Sequence, residues 1–191
     1  MNKTAGLLQN IWFLFLCGLL TAPAASFLQP VKAKDLNSTT VIVKPVAGSH
    51  FIGDTFEVQV WVENVSDLYG ADVQLSFDPG KLEVVDVNPS TITVEITPRS
   101  ELLYPDLTVK KEADNSNGKV WYAAAQLNPR PPASGSGPLC SFYVNVLSAG
   151  QADIKVDYSK LSDKNGIEIP AETFGASFLL YWNFFLPLIL A

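Results

Sequence analysis

Residues 70–87 read GADVQLSFDPGKLEVVDV. From Ala71 to Phe77 the residues alternate, with Val73, Leu75 and Phe77 on one side and Asp72, Gln74 and Ser76 on the other. A period of two marks a strand with one face against a core and one against water. Asp78-Pro79-Gly80 then breaks the pattern, because proline fixes its own φ and glycine accepts the conformations that close a tight turn. Leu82, Val84, Val85 and Val87 resume an apolar, β-branched run. The stretch is two strands around a turn and belongs to an antiparallel β domain.

Outward from this stretch the same grammar repeats. On the N-terminal side Thr40–Lys44 is a short strand and Pro45–Gly53 a turn region. Thr55–Glu63 (TFEVQVWVE) alternates cleanly, with Phe56, Val58, Val60 and Val62 inward and Trp61 outward. Asn64–Tyr69 connects to the central stretch. On the C-terminal side Thr91–Thr97, a short piece from Leu107 to Lys111, Lys119–Gln126, Leu139–Leu147, Ala152–Tyr158, Ile167–Ile169 and Thr173–Tyr181 carry strand patterns. Between them lie Asn88-Pro89, Asn115–Gly118, the loop Asn128–Pro138, Ser148-Ala149-Gly150 and Asp163–Gly166, all rich in turn formers. About nine short strands at this spacing predict an all-β sandwich or jelly roll.

The wording of the central stretch resembles the cohesin family, whose domains carry G-A-D-φ-x-L-x-φ-D-P-x-x-L-x-φ-φ-x-φ, with φ apolar. Gly70-Ala71-Asp72, Leu75, Phe77-Asp78-Pro79, Leu82 and Val84-Val85 fill that pattern. Ile52-Gly53-Asp54-Thr55 is similar to the family's φ-G-D-T lead into a strand, and Gly118, Gly137 and Gly150 fall at matching places. The resemblance runs from about Thr40 to Ile169 and implies a nine-stranded jelly-roll β-sandwich.

The 191 residues carry a net charge of −6 and are 48% hydrophobic, so one domain plus extensions is expected. The acidic balance argues against nucleic acid, whose binding leans on basic patches, and against attraction to anionic lipid. Lys3, the apolar run Ile11–Leu20 and Ala22-Pro23-Ala24 form a secretory signal pattern over residues 1–24, with Ala33 as a second cleavage position. A leader or linker over 25–39, a sandwich over 40–177 and an apolar tail over 178–191 complete the expected organisation. The tail, FLLYWNFFLPLILA, is shorter than the roughly 20 apolar residues of a membrane helix, and Asn183 and Pro187 interrupt it. It reads as a last strand plus a sticky end, with a docking or sorting tag or a membrane contact as alternatives. Cleavage would remove Cys17 and leave Cys140 alone, on the core parity of Phe142, Val144 and Val146.

Enzymatic constellations are missing from the sequence. The single histidine, His50, falls in a turn region and reads as a solvated loop residue. No nucleophile elbow, CxxC or HExxH occurs, which speaks against triad chemistry and zinc. Asp163-x-Asn165-Gly166 and Asp114-x-Ser116-x-Gly118 echo oxygen-rich loops without EF-hand spacing, and Asn-Gly pairs make hairpin turns without metal. No cofactor is expected.

What remains is an outward face. Asp72, Gln74 and Ser76 lie on one strand, and Trp121, Ala123 and Ala125, with Gln126 at the strand end, lie on another. Small residues beside an aromatic make a flat surface able to accept a helix. In cohesins the dockerin helices lie on the sheet containing these two strands. Asp72 matches the family's hydrogen-bonding aspartate, and Gly70 stands where many cohesins carry asparagine. The resemblance implies a secreted, extracellular or cell-surface adaptor that captures a dockerin-bearing protein, with calcium held by the dockerin, in the assembly of polysaccharide-degrading machinery. Two alternatives stay open. One is a carbohydrate-binding module of the same fold, stacking sugars on Trp61, Trp121 or Tyr122. The other is a structural surface domain with no dockerin partner. Exported protein is expected to begin at Ala25; N-terminal sequencing that returned Met1 from a cytoplasmic product would refute the signal.

Overall fold

Alternating apolar residues need a second apolar surface to close against, and this chain supplies it as a second sheet. The computed structural model describes residues 38–86 and 96–183. In chain order the strands are β1 (Thr40–Lys44), β2 (Ala47–Phe51), β3 (Thr55–Leu68), β4 (Gly70–Phe77) and β5 (Leu82–Val85). Then come β6 (Thr97–Pro98), β7 (Leu107–Asp114), β8 (Lys119–Ala125) and β9 (Ala133–Val146). Last are β10 (Gly150–Ser162), β11 (Glu168–Ile169), β12 (Glu172–Phe174) and β13 (Ala176–Tyr181). No helix occurs among the described residues.

The first sheet has the order β12-β1-β3-β9-β5, with β6 also paired to β9. The second has the order β2-β13-β10-β4-β8-β7, with β11 paired to β10. Val58, Val60 and Val62 of the first sheet and Val73, Leu75 and Phe77 of the second are buried in one core. Phe142, Val144, Tyr122, Ile154 and Phe178 join the same cluster. The architecture is the expected all-β jelly-roll sandwich.

The strand segments outnumber the nine expected, and each difference has a physical source. Ala47–Phe51, read as a turn, is β2; its sequence AGSHF has little apolar signal and is strand because β13 pairs with it in parallel. His50 is correspondingly not a solvated loop residue. Its ring stacks on Phe56 at 3.8 Å and lies 5.9 Å from Phe178. Residues 64–68, read as a connection, continue β3 through two register shifts. Asn64 and Asp67 take positive φ there, which these residue types tolerate, and the shifts keep Val65 and Leu68 buried. The second half of the loop Asn128–Pro138 pairs with that extension as the start of β9. Most of the expected strand Thr91–Thr97 lies outside the described residues.

The pattern Thr173–Tyr181 is two strands, one in each sheet. At Gly175, between them, a Cβ would stand 2.4 Å from the Ile154 carbonyl oxygen, so the crossing needs glycine. Phe178 and Leu180 are buried, so the first part of the apolar tail belongs to the sandwich and the boundary at 177/178 cuts through β13. The signal pattern and residues 184–191 lie outside the described residues.

The turn after β4 is closed by Asp78, whose carboxylate accepts from Gly80 N at 2.9 Å and whose carbonyl accepts from Lys81 N and Leu82 N. Gly118, opening β8, has φ +61°, and a Cβ there would lie 2.1 Å from the Phe77 carbonyl oxygen. Phe77 N donates to the Gly118 carbonyl at 2.9 Å, which fixes the entry of β8 against the end of β4. Phe142→Ala is expected to cost roughly 3–5 kcal/mol by emptying the core. Gly118→Ala should cost more than about 1 kcal/mol, since neither the φ nor the space suits a side chain. Urea midpoints read both, and a neutral Gly118→Ala would show that β8 enters differently.

Candidate functional site

The outer face of the second sheet is set by register. β4 and β8 are antiparallel neighbours, with Gly70 opposite Ala125, Asp72 opposite Ala123, Gln74 opposite Trp121 and Ser76 opposite Lys119. Six of the seven expected face residues therefore meet on one surface. On its far sides β7 places Leu107 opposite Ala125, Lys110 opposite Ala123 and Glu112 opposite Trp121. β10 places Tyr158 opposite Gln74 and Lys160 opposite Asp72.

The aromatic on this face is held in place. Trp121 Nε1 donates to Asp72 Oδ1 at 2.7 Å, and Lys110 Nζ stands 4.7 Å from the indole centroid. Lys110 also pairs with Glu112 at 3.0 Å. Because Asp72 sits opposite Ala123, an indole reaching Asp72 lies across that pair. Ala123 is accordingly only 7% exposed. This corrects the expectation of an open alanine patch: the accessible small residues are Gly70 and Ala125, both half-buried, beside exposed Leu107.

Gln126 does not belong to the face at all. It is 4% exposed; its Oε1 accepts from Tyr104 N at 3.1 Å and its Nε2 donates to the Pro131 carbonyl at 2.8 Å. It ties together two loops at the end of β8, where Arg130 stacks over Tyr104 at 3.5 Å and pairs with Asp106 at 2.7 Å. The Arg130 hydrogen bond, with one from Leu127 N, holds the Asp106 carboxyl below its ordinary range. Exposed Leu107 and Leu127 flank this cluster.

At the opposite end, Asp157 accepts from Lys119 Nζ at 2.5 Å and from Ser76 Oγ at 2.8 Å. Those two bonds, Lys119 first, hold the Asp157 carboxyl below its usual value. Sequence reading missed Lys110, Leu107, Tyr158 and Lys160. Strict alternation along β10 would bury Tyr158 with Ile154 and Val156; a register shift between Val156 and Tyr158 turns it out beside Gln74. No sequence signal marks that bulge.

The other candidate groups are accounted for locally. Asp163 accepts from Asn165 N and Ile167 N, both at 2.8 Å. Asp114 accepts from Asn117 Nδ2, Asn117 N and Ser116 N, which lower its pKa in that order. Both loops are turns stapled by a carboxylate. Among the described residues no group of three or more His, Cys, Asp or Glu side chains is placed to hold a metal. Cys140 is fully buried, and burial pushes its thiol pKa far up, away from reactivity. Trp61 and Trp121 stand on different sheets, β3 in the first and β8 in the second, so they form no common sugar platform. Tyr122 is buried in the core.

The described residues form a jelly-roll sandwich with a flat sheet face on which Asp72 holds the Trp121 indole. The cohesin domain family matches residues 39–169, and the chain belongs to that family, whose domains are non-catalytic binding modules. Comparison with curated proteins gives no match. Among solved structures, the chain is similar to a non-cellulosomal cohesin from Archaeoglobus fulgidus, at 19% identity and TM-score 0.60, covering 75% of this chain and 91% of that one. It is also similar to a chain of a type I cohesin–dockerin complex from Clostridium thermocellum, at 16% identity and TM-score 0.63, covering 76% and 95%. A cohesin module from a Clostridium perfringens family 33 glycoside hydrolase matches at 14% identity and TM-score 0.57, covering 76% and 97%.

The Asp72–Trp121 bond is expected to be worth about 1 kcal/mol, between an exposed hydrogen bond and a buried charged one. A double-mutant cycle of Asp72→Ala with Trp121→Phe, read by chemical denaturation, measures it. Strict additivity would mean that the indole is not held there.

Proposed function

We propose that the outer face of β4 and β8 binds a dockerin-bearing protein, and that the chain is a secreted, non-catalytic adaptor at the cell surface. The observation that carries this reading is the register that sets Asp72 and Trp121 on neighbouring strands, locked to each other at 2.7 Å. A pre-positioned aromatic loses little side-chain freedom on docking, and such residues often dominate interface energy. Gly70, Ala125 and Leu107 beside it leave room for a helix to lie close to the sheet. Calcium in such a complex would be held by the dockerin. Solved relatives include cohesins in complexes with dockerins, which supports the choice of partner. On this reading the adaptor contributes to assembling polysaccharide-degrading enzymes.

One observation favours a second reading, a cohesin domain serving outside such assemblies: the Archaeoglobus relative is described as non-cellulosomal. The carbohydrate-binding reading has lost its footing with the separation of Trp61 from Trp121.

Ala125→Arg is expected to leave folding intact, because Ala125 is half-buried on the outer face, and to abolish measurable dockerin binding. Trp121→Ala should weaken it by about 2 kcal/mol or more. Isothermal titration against dockerins from the same organism, with insoluble cellulose as control, reads both. Wild-type protein that binds cellulose and ignores every dockerin would overturn the assignment.

A further inference from the structure

The second sheet has another outer surface, at its β2–β13 edge, that the dockerin reading leaves unused. Phe51 and Tyr181 are opposite each other in register, with ring centroids 6.2 Å apart. Leu179 precedes Tyr181 on the same face, and Trp182 follows the strand. Phe51, Leu179, Tyr181 and Trp182 are 49%, 51%, 46% and 63% exposed. Their neighbours on these two strands are Ala47, Ser49 and Ser177, so the face of β2 and β13 carries no charge. The sequence continues the theme: no charged residue occurs after Glu172, and residues 184–191 read FFLPLILA. Large apolar groups gathered in this way on a soluble domain mark a contact surface.

We propose that this β2–β13 edge, with Phe51, Leu179, Tyr181 and Trp182, seats on the interface of an uncharged lipid bilayer. The order of residues fits. Tyr181, Trp182 and Asn183 have polar tips suited to the headgroup level, and the purely apolar stretch comes after them. Exposed side chains on a folded sheet edge reach no deeper than the headgroup and upper acyl level, so the contact lies in the interface plane. The net charge of −6 selects a zwitterionic surface over an anionic one. A second copy of the chain is a poorer occupant, because four side chains fall well below the ~800 Å² per partner of a standard stable interface. β10 separates β13 from β4, the nearer strand of the β4–β8 face, which lies two strands away, about 10 Å at ~4.8 Å per strand.

The test uses the full chain carrying Trp12→Phe, so that the N-terminal apolar run contributes no fluorescence. It is mixed with phosphatidylcholine vesicles whose acyl chains carry bromine. Trp182 emission is expected to shift to the blue and to be quenched about twofold or more relative to unbrominated vesicles. Trp182→Phe should remove the quenched component, and Leu179→Ser with Tyr181→Ser should abolish the quenching of Trp182 without moving the thermal midpoint, since both side chains are exposed. Three outcomes overturn the proposal: no binding to vesicles, binding with Trp182 unquenched, or a lipid-free dimer that Leu179→Ser dissolves. Dockerin titration is a separate readout, so either function can fail alone.

Discussion

One face of β4 must be dry. Val73, Leu75 and Phe77 leave water together, and because a strand alternates, that single requirement puts Asp72, Gln74 and Ser76 outside. The rest of the second sheet follows from pairing. β8 can join β4 only in a register that keeps Val120, Tyr122 and Ala124 on the core side, and this sets Trp121 diagonal to Asp72. A slip of one residue would bury the indole N–H and expose Tyr122, so the core specifies the surface. Gly118 enforces the register at one end, where its backbone packs on the Phe77 carbonyl without room for a methyl group.

A sheet face is a poor place to hide from water and a good place to hold side chains still. Neighbouring strands stand close enough that the Trp121 indole finds both an acceptor on β4 and a cation on β7. The cost is that Ala123 disappears beneath it. The same surface is closed at one end by Asp157, which reaches over β4 to Lys119. β7 is the outer edge of this sheet, and Lys110 and Lys111 blunt it against pairing with a foreign strand. Leu107 and Val109 remain exposed on the same strand, next to Ala125 and the bulge that follows it.

Legibility in the sequence followed the apolar signal. β3, β4, β8 and β9 alternate strongly enough to be read with their inner faces correct, and the family pattern around Gly70–Val85 rests on those strands. β2 was invisible because AGSHF owes its conformation to β13, not to its own residues. The extensions of β3 and β9 were invisible for a similar reason. Asn64, Asp67 and Gly135 look like loop residues, and it is the bulges they build that let pairing continue. At the site, parity alone placed six of seven residues on the right side. Counting Gln126 with the face as a strand-end residue goes against parity, for it keeps the inward phase of Tyr122 and Ala124. Parity could not tell that Ala123 is covered, since that depends on where the Trp121 ring points.

The electrostatics of the face have a definite sign. Asp157 is held below its ordinary pKa by Lys119 first and Ser76 second. A carboxylate lowered in the folded state adds stability that is present above its unfolded pKa and is lost as pH falls through its folded value. Neutral pH therefore leaves the Lys119–Asp157 crossing intact, and acid releases it. The pair is exposed, so its share in folding stability is small. Its share in shape is larger. It spans β8 to β10 above Ser76 and fixes the end of the surface opposite the Arg130–Asp106 cluster, so the outer face of β4 and β8 is bounded at both ends by ion pairs.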